Sequence, residues 1–297
     1  MSLAESAART RLQVKRLNPA LGAEVRGFDL RKPLDAETSA ELRAAWMDNL
    51  VLVFPGQPLT DAEHVAFTRH FGEPEIFHQK IIKSERVPEI FRVANVGEDD
   101  RLLPPTDLVV RQLSSAQMWH TDSSYRPVPS MGSLLRGLEV VREGGETLFT
   151  NMYLVWERLP ERLKRQVEGR RARHNFEYIR VLRGLPPVSE EERRAMPPVW
   201  QPMTRRHPVT GRVSLYISVI YNDEVEGMSP DEAKRFVGEL AEFAGRPEFV
   251  YRHRWSPDDM VLWDNRCTMH QVTPYDPAKR RVMHRTTIVG DGPVIPA

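Results

Sequence analysis

From Phe249 to Val289 the chain runs as short apolar stretches, each stopped by turn residues, and it shows no helical period there. This pattern constrains the fold more than any other feature. Several short strands in succession need sheet partners, and antiparallel neighbours joined by tight turns supply them. Upstream, helices are inserted between strands. Arg11–Leu17 alternates apolar and polar residues as an edge strand would, and Ala23–Leu30 reads as a second short strand. The run LVLVF from Leu50 predicts a buried strand closed by Pro55 and Gly56. Ala36–Asn49 has helical periodicity, and Thr60 with Glu63 forms a capping box for a helix ended by Gly72. His64 and His70 on that helix are expected to be packed or solvated rather than ligands. Leu148–Met152 predicts a strand, Tyr153–Gly169 a helix and Met196–Gln201 an irregular connection. Pro208–Gly211 predicts a hairpin turn, followed by a strand over VSLYISVIY. Ser189 with Glu192 starts a short helix, and Ser229-Pro230-Asp231-Glu232 starts a longer one ending at Gly245.

Strand and helix never alternate regularly, and no glycine-rich phosphate loop is present. Rossmann and P-loop proteins are therefore disfavoured. A mainly β chain with inserted helices, a β-sandwich or jelly roll, is the expected class. The 24 prolines and 17 glycines are spread along 297 residues, so one domain without a flexible linker is expected. Residues 97–115 are polar, proline-bearing and without period, and they predict a long loop or lid over a site. Lys+Arg at 42 balances Asp+Glu at 41, which gives no bulk charge to draw nucleic acid or acidic lipid. The one cysteine, Cys267, excludes an internal disulfide and reads as a small buried residue. No segment has signal-peptide or bilayer-spanning character, so a cytoplasmic location is expected. A homo-oligomer, dimer or tetramer, stays open.

The segment MWHTDSSY places His120 and Asp122 two residues apart, and on a strand both project from one face. An imidazole and a carboxylate so placed can grip one metal ion. With nine histidines and 41 acidic residues such a pair alone says little. The second segment, WDNRCTMH, ends in His270. Two histidines and a carboxylate leave one face of an octahedral iron open, where a 2-oxo acid can fill two positions and dioxygen the third. The far carboxylate of 2-oxoglutarate then needs a planar fork, which arginine has. Arg281 follows His270 by eleven residues, and Arg285 lies four further on, on the same strand face.

These segments resemble the family of taurine dioxygenase and phenoxyacetate (herbicide) dioxygenase. The family carries H-x-D, GG-x-T, WDNR-x-x-x-H and two arginines at fixed offsets. This chain has His120-Thr121-Asp122, Gly144-Gly145-Glu146-Thr147, Trp263-Asp264-Asn265-Arg266 before His270, then Arg281 and Arg285. The likeness extends from LGAEVRGFDL to RTTIVGD. It implies a double-stranded β-helix (jelly roll, cupin-like) and an Fe(II) centre held by His120, Asp122 and His270. It also implies O2 and 2-oxoglutarate as co-substrates, with oxidative decarboxylation to succinate and CO2 driving hydroxylation. Thr147 and Arg281 would hold the 2-oxoglutarate carboxylate. Arg285 would face a small anionic substrate, and His78 lies near a family substrate-contacting position. Trp119 and Trp263 are expected to pack beside the site.

The segments AMPPVWQPMTRRHPVTGR and EFVYRHRW resemble the phenoxyacetate branch, but Ser218–Asn222 stands where that branch has histidines. An aryloxy- or alkyl carboxylate is the first expected substrate, and a sulfonate or sulfate ester such as taurine the second. A non-catalytic metal-binding jelly roll and a zinc hydrolase are the readings of other classes; neither explains Arg281.

Overall fold

The structure is a computed structural model and describes residues 12–76 and 83–297. The described residues begin with β1 (Gln13–Arg16), β2 (Ala23–Arg26), α1 (Ala36–Asn49) and β3 (Val51–Phe54). Next come α2 (Asp61–Thr68), β4 (Phe91–Ala94), α3 (Leu108–Leu113), β5 (Gly132–Glu139), β6 (Thr147–Asn151), α4 (Met152–Arg158) and α5 (Glu161–Val167). A less regular stretch contains β7 (Arg171–His174), α6 (Tyr178–Arg183), α7 (Glu190–Ala195), β8 (Val199–Pro202), β9 (Thr204–Arg206), β10 (Val213–Leu215) and β11 (Asn222–Val225). Helix α8 (Pro230–Ala244) leads into β12 (Val250–His253), β13 (Met260–Asp264), β14 (Thr268–Val272), β15 (Val282–Ile288) and β16 (Ile295–Pro296).

The main sheet has seven strands in the order β1-β2-β3-β13-β5-β15-β4, and β12-β6-β14 forms a second sheet opposite it. Val51, Val53, Val261 and Trp263 of the main sheet share one core with Phe149 of β6 and Tyr251 of β12. The alternate residues Leu52, Phe54, Met260 and Leu262 enter another core with Trp46 of α1 and Phe67 of α2. Strands covered on both faces carry no polar alternation, which is why LVLVF is apolar throughout. Helix α8 buries Phe236, Val237 and Leu240 in a third core that receives Met269 of β14. His270, one residue on, therefore projects from the other face of β14, toward the main sheet.

The capping boxes at Thr60, Ser189 and Ser229 are all formed. Other expectations need correction. The helix opened by Thr60 ends at Thr68, ahead of Gly72. Tyr153–Gly169 is two helices because Pro160 breaks the backbone ladder between α4 and α5. The strand predicted over VSLYISVIY stops at Leu215. Beyond it the Asn222 side chain accepts the Ser218 N–H at 2.7 Å, and Tyr216, Ile217 and Ile220 are buried off the ladder. Met196–Gln201 is not wholly irregular, since β8 pairs there with β7. Strand β2 ends at Arg26, where Gly27 takes φ +100°. Residues 97–115 carry α3, capped by the Asp107 carboxylate, and a 3-10 turn over Ser114–Gln117. His64 is fully buried, its Nε2 3.1 Å from the Thr286 hydroxyl. Among the described residues no helix is long and apolar enough to cross a membrane.

Candidate active site

His120, Asp122 and His270 meet between the two sheets, with ligand atoms within 4.8 Å of one another. The backbone explains this convergence only partly as expected. His120 is not in a strand: it forms a single antiparallel bridge with His270, through N–H to C=O bonds of 3.0 and 2.8 Å in the two directions. The chain then turns, with Ser123 at φ +54°, and this turn presents Asp122. The His120 Nδ1–H donates to the Met118 carbonyl at 2.8 Å. A carbonyl only accepts, so the Nε2 lone pair is left for a cation. His270 Nε2 lies 3.9 Å from Asp122 Oδ2, and its ring packs on Trp263 at 4.8 Å. Burial lowers the pKa of both histidines and keeps them neutral, as ligands must be. Burial alone would raise the Asp122 carboxyl, but the charge of Arg285, the neighbouring His270 and His120 rings and the Ser133 bond outweigh it and hold it at about 2. Two neutral imidazoles and one carboxylate fit iron(II).

The WDNR turn orients this carboxylate and locks the loop behind it. Trp263 Nε1–H donates to Asn265 Oδ1 at 2.9 Å, which sets the amide so that its Nδ2 faces Ser133 Oγ at 3.3 Å. Ser133 then donates to Asp122 Oδ2 at 3.0 Å. Asp264 grips Arg266 and accepts from His207 Nε2 at 3.1 Å. His207, Asp264 and Cys267 also cluster closely enough for a metal. However, His207 Nδ1 already accepts the Val209 and Thr210 N–H groups, so both ring nitrogens are occupied. Cys267 is buried, as expected.

Thr147, Arg281 and Arg285 line the same cavity as the triad, with a volume of about 370 Å³. Arg281 is 4% exposed, and burial lowers its pKa. It donates to the Gly145 carbonyl at 3.2 Å and lies 5.3 Å from the Tyr275 ring centre, with no carboxylate partner among the described residues. Both glycines of the GG-x-T turn have positive φ. A Cβ on Gly144 would sit 2.0 Å from the Pro274 carbonyl oxygen, and one on Gly145 would press on Arg281 Nε at 3.2 Å. Asn95 holds the approach to Arg281: its side chain accepts the Arg281 N–H at 2.8 Å and donates to the Lys279 carbonyl at 2.8 Å. Arg285 stacks over Phe91 at 4.3 Å and donates to Asp122 Oδ1 at 3.0 Å. It therefore contacts the triad itself, which the spacing does not reveal. His78 lies outside the described residues. Trp119 packs against the α8 core.

The remaining walls come from the irregular part of the chain. Pro105 and Val110–Gln117 line the cavity, as do Tyr125, Phe176, Ile179, Ile220 and Tyr221. No sequence period marks Phe176 or Ile179, and neither they nor Asn95 and Ser133 stand out in the sequence. Asn265 is visible in WDNR, but its bond to Ser133 is not.

The family model for the taurine catabolism dioxygenase TauD, TfdA family matches residues 13–287. The 2-oxoglutarate-dependent 2,4-dichlorophenoxyacetate dioxygenase of Cupriavidus pinatubonensis is 36% identical, over 94% of this chain and 98% of that protein. The (S)-phenoxypropionate/2-oxoglutarate dioxygenase of Sphingobium herbicidovorans is 34% identical over 93% and 94%. The solved structure of AAD-2 with Mn(II) and N-oxalylglycine superposes with a TM-score of 0.87 at 34% identity, covering 97% of this chain and all of that one. The chain belongs to the TauD, TfdA family. It is an oxidoreductase, a 2-oxoglutarate-dependent dioxygenase using Fe(II) and O2.

Proposed function

We propose that this dioxygenase hydroxylates a small aryloxy- or alkyl carboxylate at a C–H bond held beside a metal bound by His120, Asp122 and His270. The observation that carries the reading is Arg281. A buried guanidinium without a carboxylate partner is costly, and a co-substrate dianion reaching from the triad would supply the missing charge. Bound iron(II), with 2-oxoglutarate and O2, supplies the oxidising power, and the products are succinate, CO2 and a C–OH in place of the substrate C–H. The chain's own residues bind, orient and exclude water. Arg281 and Thr147 take the distal carboxylate of 2-oxoglutarate. Phe176, Ile179 and Ile220 give an apolar wall suited to an aryl or alkyl group, and Arg285 draws the acid toward the metal side. A hydroxyl placed on a carbon bearing an aryloxy group makes a hemiacetal, which breaks to a phenol and an oxo acid.

On this reading the two facing sheets are a double-stranded β-helix forming one dioxygenase domain, with residues 97–115 as its lid. The test is succinate release with aryloxyacids, sulfonates and alkyl sulfates in parallel, with the methyl ester of each acid as control. Aryloxyacids should give stoichiometric succinate and phenol, and the esters little. Equal turnover of acid and ester would refute the anionic anchor, and a preference for sulfonates would refute the carboxylate assignment.

A further inference from the structure

Trp255 stands behind Thr147, away from the cavity, with its indole Nε1 3.0 Å from Thr147 Oγ1. An indole N–H can only donate, so Thr147 Oγ1 is the acceptor in this bond. The threonine hydroxyl has one hydrogen, and that hydrogen is left for a different partner. Thr147 itself is 3% exposed and opens β6, where its backbone is fixed between His253 of β12 and Val272 of β14. Arg281 lines the same cavity and offers N–H donors only. We infer that Trp255 is a positioning residue for the co-substrate: by occupying the acceptor side of Thr147 it commits the hydroxyl hydrogen to the carboxylate that Arg281 binds.

The indole is itself held in place. Its ring meets His253 edge to face, with centroids 4.5 Å apart and planes at 89°. His253 Nδ1 is 3.2 Å from the Tyr251 hydroxyl. Gly137 lies beside the ring as well, where a Cβ would come 3.4 Å from the indole Cε3. A threonine without this bond could rotate its hydroxyl toward any acceptor, or present a lone pair to the carboxylate, which is repulsive. With the bond, the Thr147 hydroxyl and the Arg281 guanidinium are both left as donors to the ligand, and the group that satisfies both is an acceptor-only one. A 2-oxo acid lacking a second carboxylate would leave them unsatisfied, so Trp255 contributes to selection of a dicarboxylic 2-oxo acid. This inference rests on the assignment of Thr147 and Arg281 to the co-substrate.

The experiment is calorimetric binding of 2-oxoglutarate to the Mn(II)-loaded protein under argon, with succinate kinetics on the iron enzyme. Trp255 is only partly buried, and Trp255→Phe keeps an aromatic ring, so the fold should persist with an unchanged melting temperature. Loss of one aligned hydrogen bond predicts that Kd and KM for 2-oxoglutarate rise roughly five- to ten-fold while kcat and Mn(II) affinity hold. Thr147→Val should weaken binding at least as much. The double variant should be no worse than Thr147→Val alone, because Trp255 acts only through the hydroxyl. Additive effects would overturn the proposal and make Trp255 a packing residue, as would an unchanged Kd in Trp255→Phe. If Thr147→Val and Arg281→Lys also leave Kd unchanged, the co-substrate assignment falls, and this inference with it.

Discussion

The metal and co-substrate end of the cavity differs in construction from the substrate end. At the first, His270, Thr147 and Arg285 stand on strands, with Arg281 immediately before β15, and several site groups have side-chain or backbone partners: Ser133 and Asn265 behind Asp122, Asn95 and Gly145 around Arg281, Trp255 behind Thr147. At the second, the walls are α3, the 3-10 turn after it, α6 and the off-ladder segment 216–221. These pieces hold each other through backbone carbonyls: Arg111 donates to the carbonyls of Arg183 and Gly184, and Arg183 to that of Ser114. On the proposed reading, the chemistry common to the reaction would sit on sheet and substrate selection on short irregular elements, the kind of segment that tolerates change best.

The sharpest test of the rigid end is removal of a ligand. His120→Ala, Asp122→Ala and His270→Ala should each abolish succinate release and most Fe(II) affinity while the melting temperature stays near that of the parent. Near-normal turnover in any one of them would remove that residue from the metal site. The next effect is smaller. Arg281→Lys keeps charge but loses the fork, and should weaken 2-oxoglutarate binding by about 1–3 kcal/mol, read as KM, with the aryloxyacid KM unmoved.

Arg285 tests where the two ends meet. Because it donates to Asp122 Oδ1, Arg285→Ala should loosen metal binding as well as weakening the acid substrate roughly tenfold, and should consume 2-oxoglutarate without matching product. An effect on metal affinity alone would make Arg285 a support for Asp122 and leave the substrate anion to another group. At the irregular end, Ile179→Ala or Ile220→Ala should change kcat/KM among aryloxyacids by about tenfold and leave the 2-oxoglutarate KM as it was. A parallel shift in the co-substrate KM would mean the two ends are mechanically one.

The same contrast decides what can be read from the sequence. Motif residues at the sheet end are legible because strands fix which side chains share a face and glycines mark where the backbone closes: the Gly144-Gly145 pair stands where the turn passes close against Pro274 and Arg281. Partners distant in sequence, Ser133 on β5 and Asn95 and Trp255 just past the ends of β4 and β12, are invisible because only the tertiary fold brings them in. At the irregular end the apolar run VSLYISVIY signals burial, not strand, since a buried segment off the ladder has the same composition as one on it. The spacing of His120 and Asp122 predicts their closeness for a reason that does not hold: a turn after a one-residue bridge, rather than a strand face, brings the two together.

His174 lies on the boundary between the ends. Its Nδ1 is 2.9 Å from the hydroxyl of Ser124, two residues past Asp122, and its ring stacks on Tyr216 of the irregular segment at 5.5 Å. Burial drives its pKa down to about 3, against the opposing charge of Asp223. His64, under the main sheet, is lowered to about 3 as well, by burial and then by Arg136. A histidine lowered in the folded state leaves the unfolded chain as the better proton acceptor. Stability is therefore full above the unfolded pKa of about 6.5 and falls as pH drops through the window down to about 3. Each such histidine adds about 1.4 kcal/mol per pH unit to the slope of unfolding free energy between those limits. Urea unfolding from pH 7 to 5 should show both, and His174→Gln should lower the slope by one histidine's share whatever it does to stability at pH 7. An unchanged slope would mean that His174 reaches solvent or a proton donor in the native state, and that the boundary between the rigid and irregular ends is open to water.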